Sequence, residues 1–188
     1  MSGPFDPYYD YSPRRLLRKP LALCGYYGSS VVDLAFSLST QTALPLHDIE
    51  RLIEHRIGAR IAHSQTSIHE IETTILTQAL QQQPYGIIAL RPQSLSTPQN
   101  RQLILDHSDS LYIQRDIFIL YGNLLEDRSK GDKSRFCHLP SPINITGFQQ
   151  DFNQYKTTYQ KLNHTIHAFN KHPSLLCDAV FSFLDASA

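Results

Sequence analysis

The chain has 188 residues, enough for one domain with a sizeable core. Lys plus Arg number 17 and Asp plus Glu 17, so no net field draws in nucleic acid or an anionic membrane. No apolar run approaches the roughly 20 residues a membrane span needs, the N-terminus has no hydrophobic signal segment, and three cysteines without C-x-x-C spacing (Cys24, Cys137 and Cys177) predict reduced, mostly buried thiols in a cytoplasmic protein.

Residues 1–20 form a distinct arm, rich in proline and tyrosine and closing on the basic cluster Arg14, Arg15, Arg18 and Lys19. Prolines at this density exclude a regular helix or a central strand. The arm reads either as a segment loose or pinned across the domain by its tyrosines or as a docking segment for a protein partner. Residues 21–188 read as the domain proper. Leu21–Cys24 is a short apolar strand, and Val31–Thr42 carries Val31, Leu34, Ala35 and Leu38 at helical spacing. After Pro45, the stretch Asp48–Gly58 places Ile49, Leu52, Ile53 and Ile57 on one helical face and stops at glycine. The pattern recurs with Ile68, Ile71, Ile75 and Ala79. Ile87–Leu90 is a buried strand, and Thr97-Pro98 is an N-cap followed by a first-turn proline, opening a helix to about His107. Leu111–Gln114 is a strand and Asp116–Leu125 a helix. The polar, Gly- and Pro-containing residues 127–147 read as a lid-like loop. Phe148–Leu162 is helical, Thr165–Phe169 a strand and Pro173–Leu184 a closing helix. Strands alternating with helical patterns predict an α/β fold: a central parallel sheet of about five strands with helices on both faces.

The junction "LALCGYYGSSVVDLAFSLS" has the strand–turn–helix layout of a phosphate-binding loop. Such a loop asks for G-x-x-x-x-G-K-[ST], its glycines allowing backbone N–H groups to wrap phosphate. Gly25, Gly28 and Ser29 suit that turn, but Ser30 stands at the second glycine, Val31 at the lysine and Val32 at the hydroxyl residue. Asp33 follows in the first helical turn. Ser29 or Ser30 is expected to cap the helix, and Asp33 to offset the positive end of its dipole.

The order of elements from residue 20 to 186 resembles the shikimate kinases, small P-loop kinases of the nucleoside-monophosphate-kinase type. The resemblance rests on "CGYYGSSVVDLAFSLSTQTALPLHDIERLIEHRIGARIA", on "GIIALRPQSLSTPQNRQLI" and on "YKTTYQKLNHTIHAFN", in that order. It implies a three-layer α/β/α P-loop kinase fold and phosphoryl transfer from ATP, with magnesium, to a hydroxyl of shikimate. It also implies an acidic pair for magnesium and substrate, arginines for the substrate carboxylate and a lid over ATP. Asp48 falls on the first acid and Glu50 where the second is expected, though Asp48 also suits an N-cap and Glu50 a first helical turn. The substrate-helix arginine aligns with His69, and the glycine triplet with Arg91, Pro92 and Gln93, whose side chains would project into substrate space. A late-helix arginine aligns with Tyr155 or Lys156, and Arg128 and Arg135 remain in the lid. Phosphoryl transfer depends on positioning and charge neutralisation, which the loss of lysine and hydroxyl opposes. The expectation is a pseudoenzyme with a binding, scaffolding or regulatory role and no cofactor. The alternatives are a weak kinase or other transferase using ATP and magnesium, and a non-catalytic sensor of shikimate- or quinate-like acids.

Nine histidines include the pair His164-x-x-His167, but i and i+3 on a strand point to opposite faces, and no ligand spacing for a metal emerges. No G-x-S-x-G and no cysteine signature for nucleophilic catalysis is present.

Overall fold

The computed structural model describes residues 16–57, 65–129, 144–169 and 172–186. The arm up to residue 15, most of the lid-like loop, Arg135 and Cys137 therefore lie outside the described residues. The strands are β1 (Leu21–Cys24), β2 (Leu46–Asp48), β3 (Ile87–Ala89), β4 (Asp109–Gln114) and β5 (His164–His167). The helices are α1 (Val31–Thr42), α2 (Ile49–Ile57), α3 (Gln65–Gln81), α4 (Pro98–His107), α5 (Ile117–Ser129), α6 (Ile145–Tyr159) and α7 (Pro173–Ala186). All strands pair in parallel in the order β2-β3-β1-β4-β5. This is the expected five-stranded α/β sheet.

Alternation along the strands explains the layers. Leu21, Leu23, Ile87, Ala89, Leu111 and Ile113 face a core shared with Val31, Leu34 and Leu38 of α1 and Leu176 and Val180 of α7. Ala22, Cys24, Ile88 and Tyr112 face the other core, built with α2 through α6. A strand covered on both faces must be apolar throughout, as β1 is. Each fully buried Leu or Ile contributes about 1.5–3 kcal/mol.

Several boundaries differ from the sequence reading. The strand β2 follows directly on Pro45 and spans only three residues, too few to show a period of two. Helix α6 starts three residues before Phe148 because Asn144 caps it, its Oδ1 accepting from the Gly147 N–H at 2.8 Å. Thr97 has the extended N-cap backbone before Pro98, but its hydroxyl makes no capping bond. The last strand ends at His167 rather than Phe169, which adopts φ 38° and so leaves the pleat. Asp116–Leu125 is extended to a helix ending at Ser129.

A parallel sheet with this strand order opens a crevice at the carboxyl ends of its strands. The turn after β1, Asp48 at the end of β2, and Arg91 after β3 meet there. Arg115, just past β4, fastens that end of the molecule: its Nε donates to the Ser29 carbonyl at 3.1 Å and its Nη1 to the Phe169 carbonyl at 3.0 Å. Burial lowers the guanidinium pKa.

Two stability predictions follow from the backbone and from this tie. Arg115→Met removes charged donors from two carbonyls and should cost about 3 kcal/mol in urea unfolding. Ala43→Gly, at the left-handed residue (φ 56°) that ends α1, should instead gain about 1 kcal/mol. An Arg115→Met midpoint equal to that of the parent would show that the tie contributes nothing.

Candidate functional site

The cleft is built around the turn Gly25–Ser30. Gly28 takes φ +77°, and a side chain there would run into the Leu120 carbonyl of α5. A Cβ on Gly25 would collide with the Ser29 side chain and approach Val31 Cγ2 to 2.8 Å. The inside of the turn is thus occupied by Ser29 and Val31, which are 3% and 5% exposed. Ser30 occupies the N-cap of α1 at φ 60°, ψ 33°, and makes no side-chain capping bond. This corrects the expectation of a serine hydroxyl cap at Ser30: a left-handed N-cap is not the extended geometry from which a hydroxyl reaches the second or third N–H. Asp33 lies in the first turn, as expected.

Protein groups hold this turn from several sides. Tyr26 lies among Phe148, Phe152 and Tyr155 of α6 with ring centroids 5.1, 5.1 and 5.8 Å away. Its hydroxyl donates to Asp151. Tyr27 meets Tyr26 edge-on and accepts a hydrogen bond from the Gln93 amide. Burial raises the pKa of both phenols, and for Tyr26 the Asp151 hydrogen bond and charge add to it, so both stay protonated at neutral pH. Asn123 Nδ2 donates to the Gly28 carbonyl at 2.8 Å. The sequence reading passed over Tyr26, Tyr27, Asn123 and Arg115. The tyrosines occupy unrestricted positions of the loop motif, and the other two act on main-chain carbonyls, which no spacing rule marks.

The second wall holds Asp48, Glu50 and Arg91. Asp48 Oδ1 accepts from the Arg51 N–H at 3.3 Å, so this acid serves as the cap of α2. Glu50 is half-buried, and its charge contributes to the raised Tyr27 pKa. Arg91 lines the cleft but is tied backwards, its Nη1 3.7 Å from the fully buried Glu72. Ser94 completes this knot: its hydroxyl donates to Glu72 Oε1 at 2.6 Å and accepts from the Arg91 N–H at 3.0 Å. Pro92 also lines the cleft, and its carbonyl accepts from Tyr159 at 2.9 Å. Gln93 is not among the lining residues but reaches one of them, Tyr27.

Not every residue singled out in the sequence comes together here. His69 lies exposed on α3, and Arg128 sits in the last turn of α5; neither lines the cleft. Asp127, the residue before Arg128, does. Tyr155 belongs to the aromatic cluster, and Lys156 is exposed. His164 and His167 are both exposed; His164 stacks on Phe183, and His167 meets Phe169 at a tilt. Among the described residues no group of three or more His, Cys, Asp or Glu is arranged to hold a metal ion, and no helix is long and apolar enough to cross a membrane. Cys24 and Cys177 are buried.

No family model matches the chain. A shikimate kinase of Streptococcus suis (strain 05ZYH33) is 26% identical over 115 residues, covering 58% of this chain and 68% of that protein. Among solved structures, the shikimate kinase from Acinetobacter baumannii in complex with shikimate superposes with a TM-score of 0.79 at 12% identity, covering 90% of this chain and 94% of that one. The shikimate kinase from Bacteroides thetaiotaomicron gives 0.74 at 13% identity, covering 89% and 98%. Sheet order, cleft position and these likenesses agree: the chain has a shikimate-kinase-like P-loop kinase fold.

Proposed function

We propose that this kinase fold carries no phosphoryl transfer and that the protein is a pseudokinase with a binding, scaffolding or regulatory role. The observation that carries the reading is the filled turn. Val31 and Val32, standing where a P-loop has its lysine and hydroxyl, pack with or against the α1 and α7 core and offer the cleft they line only methyl groups, with neither a cation nor a metal ligand. Ser29 fills the space beside Gly25.

Charge supports the same reading. Asp33, Asp48, Glu50 and Asp127 line the cleft, and the one arginine among the lining residues is paired with Glu72. Two like unit charges 4 Å apart repel by about 4 kcal/mol at a protein-surface dielectric. A triphosphate brought to this rim meets carboxylates without a compensating lysine. ATP and magnesium do not fit these residues. The Nη1 of Arg91 faces Glu72 at 3.7 Å while its buried Nε makes no hydrogen bond with a described residue, so titration with shikimate separates the pseudokinase from a sensor of such acids. The Pro- and Tyr-rich residues 1–20 are the segment through which a protein partner would dock.

A coupled assay with ATP–Mg and saturating shikimate should give no product formation above background. Turnover near 1 s⁻¹, the low end of the usual enzyme range of roughly 1–10³ s⁻¹, would overturn the proposal.

Restoring the loop should separate binding from chemistry. The combined variant Ser30→Gly, Val31→Lys, Val32→Ser should gain measurable ATP affinity by calorimetry, and adding Asp33→Thr should raise it further. Neither variant should phosphorylate shikimate, because transfer also needs an acceptor held in line, and Arg91 is held by Glu72. Efficient transfer by the loop variant alone would mean that the acceptor site is intact and that the natural protein binds shikimate.

A further inference from the structure

A second cavity lies between α2 and α3 beside the edge strand β2, and it shares no lining residue with the cleft at Gly25. Its volume is about 260 Å³. We propose that this cavity is a binding site for a small organic carboxylate with a short apolar body.

The lining chemistry favours that class. Arg56, His55 and Gln78 are exposed and supply one fixed positive charge and several donors at the mouth, and no carboxylate among the described residues lines the cavity. The guanidinium fork matches a carboxylate with two parallel hydrogen bonds. Ile75 and Ala79 are buried and supply apolar wall, joined by the partly exposed Leu52. Inorganic phosphate has no surface to offer such a wall.

Helix electrostatics alone accounts for only part of this. His55 and Arg56 stand in the last turn of α2, where cations complement the dipole of any helix. That explains their charge, but neither the cavity nor His47. His47 also lines it and is only 9% exposed; its Nε2, which lies against Gly86, makes no hydrogen bond with a described residue. A buried nitrogen without a partner is costly, and native structures rarely retain one. Burial lowers the His47 pKa, so the ring is neutral at pH 7 and presents one donor and one acceptor. The cavity therefore combines a buried hydrogen-bonding group, an apolar wall and a cationic mouth. In a strand of period two, His47 and Asp48 face opposite sides, which is why the residue beside the cleft's acid belongs to a separate site.

The test uses the full chain and three probes in calorimetry: benzoate, inorganic phosphate and benzylamine. Benzoate should bind with Kd below about 1 mM. Phosphate should bind more weakly, and benzylamine, with the same ring and the opposite charge, should not bind. Arg56→Ala should weaken benzoate by about tenfold, the loss expected for a charge-assisted bond. Gln78→Trp should block the mouth, and because residue 78 is exposed the variant should keep its fold, checked by circular dichroism. Absence of benzoate binding up to about 10 mM, equal binding of benzylamine, phosphate binding as tight as benzoate, or affinity unchanged in both variants would each overturn the proposal. None of these outcomes bears on ATP, so this site and the proposed lack of transfer fail or stand separately.

Discussion

The turn between β1 and α1 bends through positive φ at Gly28 and Ser30, and such a backbone holds its shape only when its surroundings impose it. Here the surroundings are protein. Arg115 grips the Ser29 carbonyl, Asn123 the Gly28 carbonyl, Gln93 reaches Tyr27, and Tyr26 reaches Asp151 through a wall of aromatic rings. These contacts come from the end of β4, from α5, from the segment after β3 and from α6, so these four parts of the fold are referenced to one short turn.

That arrangement sets what the cleft can do. A loop that wraps phosphate is shaped for the backbone to approach an anion, and the anion in turn orders the loop. A loop ordered by its own neighbours gains little from a ligand, and this one has Ser29 and Val31 on its inner side. Arg91 is likewise engaged within the chain, its Nη1 lying 3.7 Å from Glu72.

The sheet was legible because burial on both faces writes itself into β1 and β3 as apolar runs, and α1 shows its buried stripe at Val31, Leu34, Ala35 and Leu38. β2 was not, because three residues after a proline carry no period. The start of α6 was available in principle, since Asn144 three residues ahead of Gly147 is a capping signal, but it lies at the end of a polar stretch that masks it. In the site, the positions of Gly25, Gly28, Asp48 and Arg91 could be read from motif and order. The contacts that hold them could not: Tyr26 to Asp151 spans 125 residues and Arg115 to Ser29 spans 86, and local spacing carries no trace of either.

Hydrogen exchange at the backbone amides from Gly25 to Asp33, followed with and without ATP–Mg, addresses the filled turn itself. A turn held by its own neighbours should exchange at the same rates in both conditions. Protection appearing at these amides only when ATP–Mg is added would contradict the account, because it would mean that the loop still closes around phosphate.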